Sequence, residues 1–194
     1  MTADPTANDD AGPGRAAGDI DSLHAEHAPA VYAWACLRVT RRLRAFASPE
    51  DLAQEVWVRA MRAAPTRDPA APPRAWLFTI GKHVLYEVQR AANRDRTAGA
   101  GGSTTRLLAL DGVPADVTSL TQRLARDDAL REFLARATQL EGEERMLLIH
   151  VGLEAMPHAE VAARLGIGVE AVQKRWQRLR DRVREWPSAA QLMP

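Results

Sequence analysis

The groups best placed to do chemistry lie between residues 169 and 184, VEAVQKRWQRLRDRVR. Gln173, Lys174, Arg175, Gln177, Arg178, Arg180, Arg182 and Arg184 crowd this run. A glutamine side chain can pair with an adenine edge, and lysine or arginine with the acceptor pair of guanine, when a helix lies in the DNA major groove. The spacing supports a helix, because Val169, Val172, Trp176, Leu179 and Val183 recur at intervals of 3, 4, 3 and 4 and leave the polar groups on the other faces. A second polar set stands at Asp51, Gln54 and Glu55, which share one helical face together with Val58 and Arg62. Two carboxylates and an amide on one face suit charge-assisted hydrogen bonds to a basic partner, or they form a solvated capping turn.

The elements that must position these groups follow from periodicity and caps. Before the basic run, HAEVAARL places Val161, Ala162 and Leu165 on one stripe, and Gly166 can turn the chain in a left-handed conformation. A short helix, a glycine turn and a basic second helix describe a helix-turn-helix, with an ordinary helical hairpin bearing a solvated basic face as the alternative. Ser48-Pro49-Glu50-Asp51 is a strong helix start, with Ser48 as cap and Pro49 in the first turn. Leu52, Val56, Ala60 and Ala63 make that helix's inward stripe.

Ala64 to Pro73 is a proline-broken loop, followed by a long amphipathic pattern through Leu77, Ile80, Val84 and Val88. Its expected outer faces carry Arg74, Lys82, His83, Glu87, Arg90 and Arg94, while Trp76 falls on the inward arc. Further on, Leu120, Leu124, Leu130, Phe133, Leu134 and Ala137 read as one helix, and Met146 to Leu153 as another. No strand alternation and no repeat is present, so the expected fold class is all-α.

Domain boundaries follow composition. Residues 1–20 are rich in Gly, Pro, Asp and Ala and read as a disordered tail. Residues 21–94 form a first helical domain, 95–118 a flexible linker rich in Gly, Ser and Thr, 119–186 a second domain ending in the helix-turn-helix, and 187–194 a short tail. The fold expected is therefore two small helical domains on a tether.

Composition excludes several classes. The net charge of the 194 residues is only +1, so a nucleic-acid surface must come from segregated charge. The lone Cys36 excludes an internal disulfide and a cysteine-based zinc cluster, and among apolar neighbours it reads as a small buried hydrophobe. His24, His27, His150 and His158 lie on different segments, so no metal site and no cofactor is expected. No phosphate loop, HExxH or nucleophile–histidine constellation is present, and catalysis is not expected. No apolar run approaches the length of a membrane span, which points to a soluble, cytoplasmic protein.

Two motifs together resemble one family. Asp51-Leu52-Ala53-Gln54-Glu55 is similar to the DLxQE signature of bacterial RNA polymerase sigma factors of the small extracytoplasmic-function (ECF) group. Gly166 to Arg175 resembles that family's helix-turn-helix run, and Arg74-Ala75-Trp76-Leu77-Phe78 its RxWL[YF] element. The likeness spans roughly Leu23 to Trp186. It departs where Gly168 replaces a Ser or Thr cap, where Trp176 replaces a Leu or Ile, and where Gln173 and Lys174 replace a basic-then-Ser pair.

The resemblance implies a factor that binds core RNA polymerase and directs promoter-specific initiation. Asp51, Gln54 and Glu55 then meet the polymerase clamp. His83, Tyr86, Glu87 and Arg90, with the loop from Thr66 to Pro72, face the minus-ten element. Glu170, Gln173, Lys174, Gln177 and Arg178 face the minus-thirty-five element, and Arg175, Arg180 and Arg182 contact phosphates. Promoter DNA, core polymerase and an anti-sigma factor are the partners implied, without membrane insertion. A helix-turn-helix regulator acting without polymerase shares the second domain but has no use for DLxQE or RxWLF.

Overall fold

A computed structural model describes residues 13–97 and 115–193; among them every regular element is helical and no strand occurs. Helix α1 runs Pro13–Arg38, α2 Pro49–Ala63 and α3 Pro73–Thr97. Helix α1 starts well before Asp21, the start expected from periodicity, and the earlier turn brings Ile20 into the core beside Leu23. Residues 1–12 of the expected tail lie outside the described residues.

The start of α2 is a reciprocal cap. Ser48 Oγ accepts a hydrogen bond from the Asp51 backbone N–H at 3.1 Å, and Asp51 Oδ2 accepts from the Ser48 N–H at 3.0 Å. Two of the helix's otherwise unpartnered donors are thereby satisfied. Leu52, Val56 and Ala60 are buried as the stripe predicts. They meet Trp34 and Phe78, whose rings pack edge-on at 5.8 Å. Gly81 in α3 lets that indole sit close, since a Cβ there would lie 3.1 Å from two of its ring carbons.

Beyond the undescribed stretch the chain forms α4 (Ala115–Arg126), α5 (Asp128–Gln139) and α6 (Gly142–Leu147). The single helix expected from Leu120 to Ala137 is two, because Asp127 adopts an extended conformation and caps α5, accepting from the Leu130 N–H at 2.9 Å. Helix α6 continues as a π-helical stretch, Leu148–Leu153. It is followed by α7 (His158–Leu165), α8 (Val169–Val183) and a short α9 (Ala189–Leu192) inside what reads as a bare tail. Gly166 holds φ 67° and ψ 30°, the left-handed turn expected between α7 and α8. Gly168 caps α8 with backbone alone. Trp176 is buried, and its ring has room because residue 152 is glycine: a Cβ there would lie 2.8 Å from Cη2 of the indole.

Asp95 to Thr97 belong to α3 and Ala115 to Thr118 to α4, so the ends of the expected linker are helical. Residues 98–114, with Leu107, Leu108 and Leu110, lie outside the described residues. The halves on either side are packed together. Helix α4 lies on α1 and α2, while α5, α9 and the π-helical stretch lie on α1. The buried side chains form one cluster from Ile20 to Leu192.

Candidate nucleic-acid and protein interfaces

The face of α8 is sorted as its sequence predicts. Val172, Trp176, Leu179 and Val183 are buried, whereas Glu170, Gln173, Lys174, Gln177 and Arg178 are all exposed along one side. Val169, the first residue of the predicted inward stripe, is instead 41% exposed. Gln177 donates to the Asp181 carboxylate one turn on, at 3.2 Å. Cations of this run are committed within the chain: Arg175 pairs with Glu143, Arg182 Nη2 donates to Glu144 Oε2 at 2.6 Å, and Arg184 Nη2 lies 3.6 Å from the Asp181 carboxylate. Glu143, Glu144, Leu147, Arg175, Arg178 and Arg182 line one groove between α6 and α8. The N-terminal turn of α6 thus lays carboxylates along the basic helix, an arrangement its sequence spacing alone does not reveal.

On α3, His83, Tyr86, Glu87 and Arg90 are exposed together, with Tyr86 58% exposed and the Arg90 guanidinium 5.6 Å over its ring. Glu87 is also tied inward, accepting from Arg59 Nη1 and Nη2 at 2.8 and 2.7 Å, while Arg59 Nε donates to Glu55 at 2.7 Å. This fork holds the Glu87 carboxyl below its ordinary value, the hydrogen bonds outweighing partial burial. Arg59, which no sequence signal singles out, therefore bridges a residue of the α2 set and one of the α3 set.

The expectation that Asp51, Gln54 and Glu55 form an outward polar face is corrected by the structure: they are only 3, 8 and 9% exposed. Helices α1, α3 and α4 all pack on α2, so even Val58 on the expected outer face is buried. Asp51 completes the cap and Glu55 holds Arg59. Arg74 is likewise not on an outer face. Its Nε donates to the Leu153 carbonyl at 2.8 Å, and its Nη2 to the Gly152 carbonyl at 3.1 Å and to the Leu192 carbonyl. Burial pushes this guanidinium down to about 10. Trp76 is half-buried against the core, with Arg67 over its ring at 5.6 Å.

A buried polar cluster escapes the sequence altogether. Trp34 Nε1 donates to Glu154 Oε1 at 2.7 Å, and His150 Nδ1 lies 2.9 Å from Glu154 Oε2. Burial pushes the Glu154 carboxyl up, but the hydrogen bonds from His150 and Trp34 outweigh it and hold the group below its ordinary value. The i, i+4 spacing of His150 and Glu154 is visible in sequence, whereas Trp34 lies 120 residues away. Cys36 is half-buried, and burial raises its thiol to about 11. Among the described residues no group of His, Cys, Asp and Glu could hold a metal ion, and no helix is long and apolar enough to cross a membrane.

Comparison with known proteins places these surfaces in context. Residues 23–95 match the family described as sigma-70 region 2. The chain is similar to the ECF RNA polymerase sigma factor SigL of Mycobacterium tuberculosis, 31% identical over 79% of this chain and 80% of that protein. It is 28% identical to the RNA polymerase sigma factor CnrH of Cupriavidus metallidurans, over 72% of this chain and 75% of that one. The ferric citrate uptake sigma factor FecI of Escherichia coli is 25% identical over 80% and 83%.

Proposed function

This chain belongs to the ECF sigma factors of RNA polymerase, and we propose that it binds core RNA polymerase and directs promoter-specific transcription initiation. The observation that carries the reading is the sorting of α8. Its adenine- and guanine-compatible side chains, Gln173, Lys174, Gln177 and Arg178, share one exposed side with Glu170, opposite a fully apolar stripe. A helix merely solvated on its outer face needs no such set at its N-terminal end, where recognition helices meet base edges.

The two halves divide the work. Residues 21–94 act as the unit that meets polymerase and the minus-ten element, and residues 119–186 as a helix-turn-helix unit for the minus-thirty-five element. Asp51, Gln54 and Glu55 meet a basic surface of the polymerase clamp. His83, Tyr86, Glu87 and Arg90 meet the minus-ten DNA, where the exposed Tyr86 ring offers a stacking surface for an unpaired base. Arg175, Arg180 and Arg182 serve phosphates rather than bases. The work is cytoplasmic, non-enzymatic and needs no cofactor, and an anti-sigma factor holds the protein in reserve.

A regulator acting on DNA without polymerase would use only the second half, leaving the match over residues 23–95 without purpose. The test is reconstitution with core polymerase and sequencing of the transcripts initiated. Transcripts sharing one upstream sequence, lost on removing the chain, support the reading; DNA binding with no change in initiation favours the regulator.

A further inference from the structure

Arg59 stands four residues after Glu55 on α2, an order in which an acid and a following base attract along a helix. Its Nε donates to Glu55 Oε1 at 2.7 Å, which steadies the guanidinium from its own helix. The other two nitrogens cross to α3, where Nη1 donates to Glu87 Oε1 at 2.8 Å and Nη2 to Oε2 at 2.7 Å. Two parallel bonds between a planar guanidinium and a planar carboxylate fix both the position and the plane of the acid. Glu55 is buried, Arg59 partly exposed and Glu87 exposed, so this line of bonds runs from the interior to the surface. It ends in the middle of the exposed α3 set, with His83 one turn before Glu87 and Arg90 one turn after. Arg90 lies over the Tyr86 ring, so the cation that holds Glu87 comes from α2.

We propose that Arg59 is a positioning residue for promoter reading: it holds the Glu87 carboxylate as a fixed acceptor for one amino group on the major-groove edge of a base, cytosine N4 or adenine N6. This assignment rests on the sigma-factor reading above, in which Glu87 faces the minus-ten DNA.

A carboxylate is an unusual group to turn toward DNA. Alone, it repels the phosphates, and its side chain loses rotamer freedom when ordered against a base. The guanidinium removes both obstacles. Its opposite charge sits within hydrogen-bond distance, so a nearby phosphate meets an ion pair rather than a bare anion. It also orders the side chain during folding, before any DNA arrives, so less freedom is lost on binding. Each carboxylate oxygen keeps a second lone pair that the fork leaves open. In the major groove those lone pairs accept from cytosine N4 or adenine N6 and offer nothing to guanine O6 and N7 or thymine O4. Lysine at 59 would supply the charge, but a single ammonium cannot hold both oxygens in one plane.

The test uses the full chain with core polymerase and reads transcripts from a promoter library randomised through the minus-ten element, with a thermal melt of each variant beside it. Wild type should favour cytosine or adenine at one position. Arg59→Lys keeps the charge and loses the fork, so total output should stay within about twofold while preference at that position falls about fivefold or more. Arg59→Met loses charge and fork, and should lower both preference and total output. Adding Glu87→Ala to it should restore output, because no bare carboxylate is left, without restoring the preference.

A residue that only staples α2 to α3 behaves differently. Arg59→Met then lowers the melting temperature, output falls in proportion for every library member, and Glu87→Ala rescues nothing. That pattern overturns the proposal, as does an Arg59→Lys variant with the wild-type preference. Should Arg59→Met fail to fold, Glu87→Ala alone decides, since it changes an exposed side chain. Loss of the same single preference supports the proposal, and an unchanged library overturns it. A wild type with no preference at any position sinks the sigma-factor reading and this proposal together, whereas a wild-type preference kept by every variant sinks this proposal alone.

Discussion

Replacing Glu143 and Glu144 by glutamine tests whether the acidic turn of α6 competes with DNA for the basic helix. Each carboxylate now holds one α8 arginine, Glu143 with Arg175 and Glu144 with Arg182. The four side chains are 39 to 51% exposed, so solvent screens both pairs and each is worth at most about 1 kcal/mol. One kcal/mol is a factor of about five, so freeing both arginines raises DNA affinity by up to about thirtyfold. The salt dependence is the sharper readout. An arginine that leaves a carboxylate for a phosphate releases a further counterion, and two of them steepen the slope of log K against log salt by up to about 1.8. Fluorescence anisotropy on a random duplex at several salt concentrations measures both quantities with the full chain. A double variant whose affinity and slope equal those of wild type refutes the reasoning, because Arg175 and Arg182 then have no access to phosphates even when released.

Other substitutions bear on the remaining surfaces. Asp51→Ala removes half of the reciprocal cap and should cost about 1 kcal/mol, lowering Tm by roughly 2–4 °C for a chain of this size; an unchanged melt contradicts the capping role. The Glu154 carboxyl lies below its ordinary value of 4.5 in the folded chain. Its contribution is therefore present above that pH and lost as pH falls through the lower folded value, so thermal melts across acid pH should fall more steeply for wild type than for Glu154→Gln. Arg178→Ala should relax preference at one base of a randomised minus-thirty-five element by about 1–3 kcal/mol, and uniform loss across the library would mean a phosphate contact instead. Gly152→Ala should cost about 1–3 kcal/mol by pressing on Trp176, and adding Trp176→Leu should recover part of it in a double-mutant cycle; strictly additive losses would show that the two do not share space.

What could be read from sequence was local. The Ser48 cap needs only Asp51 three residues on, and the α8 stripe only its own period, so both were legible. The break at Asp127 was equally local, an aspartate ahead of a fresh acidic first turn, but the apolar spacing through Leu124 and Leu130 masked it. Period identifies which residues share a face and says nothing of what arrives to cover it. Period puts Asp51, Gln54 and Glu55 on one face, whereas their burial follows from the packing around α2, which no local pattern reveals. An outward Arg74 is what a cation in an amphipathic pattern suggests, and the carbonyls that hold it inward come from residues 152, 153 and 192. Glu154 stands four residues from His150, but its other partner, Trp34, lies 120 residues away, beyond the reach of any local pattern.

The close seat of Trp176 over Gly152 has a historical consequence. With alanine at 152, the indole would meet a methyl carbon at 2.8 Å, while Met193 Sδ and Leu148 Cδ1 close the other sides. A smaller residue at 176 leaves room for either alanine or glycine at 152. Substitution to glycine first costs only the helical entropy of that residue, about 1 kcal/mol or less, and opens the space that the large ring later fills. The reverse order drives the ring into the methyl group before any space exists. The passable route therefore runs through glycine, and once both changes are in place position 152 cannot return to alanine while the tryptophan stays.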